Sequence, residues 1–419
     1  MKSRTASGDG NLRGLTRLRL IVLLYPLGAA VFNPGTGLTS GMYATIPIIV
    51  VYVFRRLTSP RPVASYEVLL LLSSAIVLAS PFWTGHLVAG DTSASRGAAL
   101  SILYAIAAIE FIRTRQQLIF TLQTLAAGGT LYAAYFLTRS EAYDNATNRA
   151  TVEFANANYT GAILAFTAVC TLHLVRDAGW SWRVALVAAT AVQSGAILAT
   201  GSRASISGAI IGILFLLRSE RPTRFRDAAV FFGMAAFGVL PFLASLESRL
   251  REIAVWAGQF DSRERAASSR NLSGRDALWE QSLQLLPDQL LTGWGPDRYR
   301  FRLPSQGLTH NWVLELLLSV GVLGTFVVVA AIVVTYRGPS ARNAATQFSA
   351  LRPAVAMSII PSLGLSTHQW TLWAWFALAI CFLTGPGFDK HGDASAAPAD
   401  ETGSNVNRAS LGGPVEAAS

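Results

Sequence analysis

The chain has 419 residues, of which 52% are hydrophobic and only 14% charged, with a mean hydropathy of +0.40. A soluble globular domain is about a quarter charged, so this composition excludes an ordinary soluble enzyme. The net charge of +10 comes almost wholly from arginine placed between apolar runs, so it does not signal nucleic-acid binding.

The apolar runs are long enough to cross a hydrocarbon core of about 30 Å. About twelve are legible, at 18–33, 39–54, 67–83, 97–112, 118–137, 158–176, 183–200, 204–218, 227–245, 310–336, 348–365 and 368–385. The expected fold class is therefore all-α, a polytopic helical bundle with one large extracytoplasmic loop. Alternating the runs from a cytoplasmic N-terminus puts Arg55, Arg56, Arg61, Arg113, Arg115, Arg218, Arg221, Arg224 and Arg337 inside, among others. The short outer connections keep Arg96, Arg139, Arg149 and Arg203. Positive-inside asymmetry supports that orientation. The expected organisation is a cytoplasmic tail at 1–17, nine spans over 18–245, the outer loop at 246–309, three spans over 310–385, and a disordered cytoplasmic tail at 386–419. The expected location is the cytoplasmic membrane, multi-pass. Glu110, beside Arg113 at the inner end of its run, reads as a boundary ion pair. Cys170 and Cys381 sit within apolar runs and read as small core hydrophobes.

Along the outer side, Thr200-Gly201-Ser202-Arg203-Ala204 makes a very tight turn between two runs. In the large loop, Ser273 and Asp276 fit a capping box, and Leu278, Ser282, Leu285 and Leu286 recur at helical spacing before Pro287 stops the run. Gly293-Trp294-Gly295-Pro296 interrupts the chain before it returns to the membrane. Tyr299, Phe301 and Trp312 fit an interfacial aromatic belt. His310 then stands at the first turn of the next run, in Thr309-His310-Asn311-Trp312.

Two guanidiniums on one membrane side, Arg203 and Arg275, suit a phosphate or pyrophosphate, and a helix start after Ser273 adds backbone N–H donors. A neutral imidazole at His310 suits proton removal from a hydroxyl. Each residue also has an ordinary structural account: interface snorkelling for Arg203, a local pair with Asp276 or Glu280 for Arg275, and a hydrogen bond to a loop carbonyl for His310. No Asp-x-Asp pair or His/Cys/Asp cluster at metal-ligand spacing appears on the outer side. The expectation is thus a reaction without a metal or other cofactor. Outside the cell there is no ATP, so a synthetic reaction needs a donor that carries its own leaving group.

These motifs resemble the O-antigen ligase and polymerase family (WaaL/Wzy type). The resemblance is carried by Ser273-Gly274-Arg275, Trp279, Gly293-Trp294-Gly295, His310-Asn311 and Gly321-Val322-Leu323-Gly324, in that order. Upstream, Ala155-Asn156-Ala157-Asn158-Tyr159-Thr160-Gly161 and Thr200–Ala204 are similar to two further family motifs, so the likeness extends over about 150–385. It implies a GT-C-like fold and a metal-independent, inverting glycosyltransferase whose donor is an undecaprenyl-pyrophosphate-linked glycan and whose acceptor is a glycan or lipid, for surface polysaccharide synthesis. It implies Arg203 and Arg275 on the donor pyrophosphate, His310 as base, and Asn311, Asn158 and Glu315 in substrate binding. Membrane lipids, a flippase and a chain-length regulator are the further partners, with no nucleic acid.

Two departures stand out. Ala204 replaces a family glycine, and Ser319 stands where the family often has glutamate. Glu315 lies one turn earlier, on the face shared with Asn311 and Ser319; either the carboxylate has shifted by a turn or its role is dispensable. Polymerase and ligase acting on a wall polymer or protein remain open. The alternative from another class is a secondary transporter, which requires ionisable groups near the midplane and broken helices in two related halves.

Overall fold

The computed structural model describes residues 6–32, 43–83, 93–139, 142–144, 149–151, 157–218, 275–295, 299–303, 311–338, 348, 350–363 and 371–384. Within them the chain is helical: α1 (Ala6–Phe32), α2 (Ile46–Thr58), α3 (Ser65–Trp83), α4 (Ser93–Phe111), α5 (Arg115–Arg139), α6 (Ala157–Val175), α7 (Trp180–Ala199), α8 (Arg203–Arg218), α9 (Arg275–Leu285), α10 (Trp312–Arg337), α11 (Leu351–Leu363) and α12 (Leu372–Leu383). A minimal hairpin, β1 (Ala142–Asp144) and β2 (Arg149–Thr151), pairs antiparallel with Tyr143 opposite Ala150 in the connection before α6. Among the described residues five helices are long and apolar enough to cross a membrane, and α8, α11 and α12 are shorter apolar helices. The chain is thus a membrane helical protein. The expected run at 227–245, most of the loop at 246–309 and both expected tails, save the start of α1, lie outside the described residues.

One continuous core joins α1–α8 with α10–α12. Small residues set its closest approach. On α8, Gly208 and Gly212 form a Gly-x-x-x-Gly face. An added Cβ would stand 2.5 Å from the Ser358 carbonyl oxygen and 2.8 Å from that of Ala354 on α11. Backbones this close gain packing that larger side chains forbid. Gln193 of α7, fully buried, donates from Nε2 to the Ala126 carbonyl (3.2 Å), to Thr130 Oγ1 (2.9 Å) and to Thr171 Oγ1 (3.2 Å), so one amide ties three helices. Cys170 and Cys381 are both buried in this core.

At the end of the bundle where α2 leads into α3 and α4 into α5, arginines converge on two buried carboxylates. Glu67 accepts from Arg56 (3.0 Å), Arg61 (2.9 Å) and the Ala64 backbone N–H (2.9 Å). Glu110 is paired with Arg61 and Arg113, with Arg55 at 4.0 Å. The boundary pair expected for Glu110 is therefore part of a network, and four guanidiniums against two carboxylates leave it net positive. Burial, then the neighbouring Arg55 and Arg61, lower the pKa of Arg113 from the ordinary arginine value.

Candidate functional site

The turn between α7 and α8 is built for tightness. Gly201 takes the left-handed conformation (φ 59°), and its N–H donates to the Leu198 carbonyl (3.0 Å), closing α7. Ser202 then caps α8: its Oγ accepts from the Ser205 N–H at 3.3 Å. Arg203 is consequently the first residue of α8. The first turn of α6 packs on this corner. Ser205 Oγ donates to the Asn158 carbonyl (3.3 Å) and lies 2.9 Å from Ser202 Oγ. A Cβ at Gly161 would meet Ser205 Oγ at 2.5 Å and Thr200 Oγ1 at 3.0 Å. Asn158 and the Arg203 turn are therefore neighbours. The hydroxyls of Thr200, Ser202 and Ser205, all fully buried, line the corner. They were missed in the sequence reading, although serines flanking an arginine in a turn are visible there.

A second group forms around α9 and the start of α10. Leu278, Leu285 and Leu286 pack with Trp294, Tyr299 and Leu303 onto Leu314 and Leu318 of α10, a small core separate from that of the bundle. Ser282, also fully buried, completes the helical stripe expected for this segment. Helix α9 ends at Leu285, and Pro287 opens a 3-10 turn. Arg275 is the first residue of α9; Ser273 lies outside the described residues. Tyr299 is fully buried in this core, which corrects its assignment to an interfacial belt. Trp294 instead receives Arg302, whose guanidinium carbon stands 5.2 Å from the ring centre.

Asn311 caps α10. Its Oδ1 accepts from the N–H groups of Val313 (3.1 Å) and Leu314 (3.3 Å), so the side chain fixes the helix start that follows His310. Glu315 is fully buried one turn on, with Ser319 buried behind it. His310 itself lies outside the described residues, as do the side chains of Arg203 and Arg275.

Helix α10 is not continuous. Gly321 sits at φ 67° and ψ −175°. The loop segment around Gly293 crosses the helix there, backbone against backbone. Trp294 and Gly295 donate to the carbonyls of Leu318 (2.6 Å) and Ser319 (2.8 Å), while Val322 and Leu323 donate to those of Leu290 (2.8 Å) and Leu291 (3.4 Å). Both broken ends are thereby satisfied, as buried polar backbone in a membrane protein requires. A Cβ on Gly321 would stand 2.3 Å from the Leu291 carbonyl, and one on Gly293 2.5 Å from the Gly321 nitrogen. The two glycine motifs noted in the sequence are the two sides of one contact. The apolar run expected at 310–336 is thus present as Trp312–Arg337, with a kink at Gly321.

The described residues thus give two neighbourhoods, Asn158 with the Arg203 turn, and α9 with Asn311 and Glu315. Helix α12 links them: its Trp373 meets Phe166 of α6 edge-on at 6.0 Å, and the helix packs on α10. Among the described residues no group of three or more His, Cys, Asp or Glu is gathered to hold a metal ion.

No curated protein matches the chain. Residues 188–329 match the family model of O-antigen ligase. That stretch is shorter than the likeness read over 150–385, and it leaves out Asn158. It contains the Arg203 turn, α9, the Gly293–Gly321 crossing and the His310–Glu315 segment. Over this stretch the chain is similar to the O-antigen ligase family.

Proposed function

We propose that the protein transfers a glycan from a polyprenyl-pyrophosphate donor to a sugar or lipid hydroxyl at the outer face of the cytoplasmic membrane, as a step in surface polysaccharide synthesis. One observation carries this reading: the three candidate catalytic residues all stand at helix starts. Arg203 and Arg275 are the first residues of α8 and α9, and His310 precedes the Asn311 cap of α10. A helix start offers free N–H donors and the positive end of the helix dipole, a favourable setting for an anion. Arginines added there bind diphosphate through bidentate, charge-assisted bonds.

The reaction follows from that placement. The acceptor oxygen attacks the anomeric carbon from the face opposite the leaving group. His310 takes the hydroxyl proton as the new C–O bond forms. The bond to the pyrophosphate oxygen breaks, and Arg203 and Arg275 take up the charge on the departing diphosphate. The result is inversion at the anomeric carbon and needs no metal. Asn311 holds the helix start behind the histidine, and Asn158 and Glu315 line the approach of the substrates.

A broken helix is also a mark of transporters. Here both ends of the break at Gly321 are taken up by the chain's own backbone, and the buried carboxylates Glu67 and Glu110 are held by arginines at the far end of the bundle. These observations favour transfer over transport.

The test is reconstitution of the purified chain in vesicles with a polyprenyl-pyrophosphate oligosaccharide. Elongated glycan is expected with a second lipid-linked chain as acceptor, and activity is expected to survive chelators. Absence of transfer to every hydroxyl acceptor, or abolition by chelators, removes the reading or its metal-free step respectively. A reporter placed at residue 270 is expected on the outside.

A further inference from the structure

Helices α1, α5, α6 and α12 enclose a crevice of about 240 Å³. It lies in the half of the bundle where α5 ends and α6, α8 and α12 begin, the half that holds the Arg203 turn. Leu24, Leu27, Leu125 and Ile163 supply its buried walls, beside the exposed Ile21 and Tyr25. The polar tips of two lining residues are engaged elsewhere. Thr124 donates to the Phe120 carbonyl (2.9 Å), and the Tyr132 hydroxyl lies 2.9 Å from Thr160 Oγ1. What faces the space is hydrocarbon.

The space exists because two glycines stand where side chains would fill it. A Cβ added at Gly28 or at Gly128 meets nothing within 4 Å. The neighbouring Gly129 is different: a Cβ there would stand 2.5 Å from Thr167 Oγ1, so its smallness serves packing. Gly28 and Gly128 serve no contact.

We propose that this crevice holds the isoprenoid tail of the lipid-linked donor, in the stretch nearest its diphosphate. The proposal rests on the transferase reading above and deepens it. Its basis is continuity with the candidate site. Tyr132, at the end of the crevice, touches Thr160 in the first turn of α6. One residue on, Gly161 packs against Thr200 and Ser205 at the corner that begins with Arg203. A diphosphate held at that corner lays its chain along α6 into the crevice. A phospholipid brings only a singly charged phosphodiester, whereas the donor brings a diphosphate with more charge and more acceptor oxygens for the same corner.

A polyprenyl pyrophosphate bearing a diazirine on its tail near the head, added to the full-length protein in vesicles, tests this by photolabelling. Labelled peptides are expected from 20–29 and 124–132. Labelling is expected to fall with excess unlabelled polyprenyl pyrophosphate but not with excess phosphatidylglycerol. Gly128→Leu starts from a Cβ that meets nothing within 4 Å and is expected to cut labelling about tenfold, equivalent to losing roughly two methylenes of apolar contact. Gly28→Leu repeats the test from the opposite wall if one variant does not fold, and the wild-type label map stands without either. Labels elsewhere, displacement by phosphatidylglycerol, or indifference to both variants overturn the proposal. Labelling that persists in a protein without transfer activity removes the transferase reading and keeps the tail site. Normal transfer with labels elsewhere does the reverse.

Discussion

Where α2 leads into α3 and α4 into α5, arginine is answered by carboxylate. Glu67 and Glu110, 0% and 3% exposed, each accept from at least two guanidiniums, and the pairs tie three helices together. At the opposite end of the bundle, Arg203 begins a helix whose corner is furnished with hydroxyls and backbone N–H groups. The same side chain type is set for two purposes. In the first setting its charge is consumed by the protein's own anions and holds the helices in place. The second is a helix start, a setting that suits the incoming anion proposed above.

This contrast makes ordered predictions. Replacing His310 or Arg275 by alanine is expected to lower glycan transfer by about 10²–10³-fold, the range for losing a general base or one donor to a developing anion. Protein level and melting temperature should stay at wild-type values. Unchanged polysaccharide length and amount in both variants would remove them from the chemistry. Gly321→Ala forces a Cβ to 2.3 Å from the Leu291 carbonyl at a left-handed φ. It is expected to cost at least about 2 kcal/mol, read as a thermal shift in detergent, and to reduce transfer as the cap moves. Wild-type stability in that variant would mean that the crossing does not hold the cap.

Glu110→Gln takes the carboxylate from Arg113 and leaves Arg61 with Glu67 alone. The expected loss is about 1–3 kcal/mol, below that of a fully buried pair because the arginines are 41% and 46% exposed. Transfer per folded molecule should not change; a specific loss of activity would show that this end of the bundle also takes part in the reaction. Asn311→Ala removes a helix cap worth about 1 kcal/mol, whereas Asn311→Asp keeps it. If capping is the whole role of Asn311, the aspartate variant retains both stability and KM. A raised KM with normal melting would instead place Asn311 on a substrate.

Much of this architecture was readable beforehand. The tight turn at Thr200–Ala204, the leucine stripe of α9, the stop at Pro287 and the pairing of Glu110 with Arg113 all follow from local rules of turn chemistry, periodicity and charge. The Gly293–Gly321 contact was not readable. It is made by backbone alone, so neither hydropathy nor side-chain periodicity records it, and an unbroken apolar run over 310–336 is what those signals give. Tyr299 was misplaced for a related reason: an aromatic next to a membrane run looks interfacial until a tertiary core closes over it. The close packing of α8 on α11 left a Gly-x-x-x-Gly signature that a search for small-residue faces would have found. The crevice between α1 and α5 left none, because Gly28 and Gly128 matter through the atoms they lack.

The crossing at Gly293 and Gly321 has a consequence for biogenesis. The carbonyls of Leu318 and Ser319 are the acceptors for Trp294 and Gly295, and they emerge from the ribosome more than twenty residues later. The segment around Gly293 must therefore wait, unfinished, until the next helix arrives to lock it. A soluble fragment that stops at 309 would lack its keystone, and any excised version would have to run through Leu323 to recover a native shape.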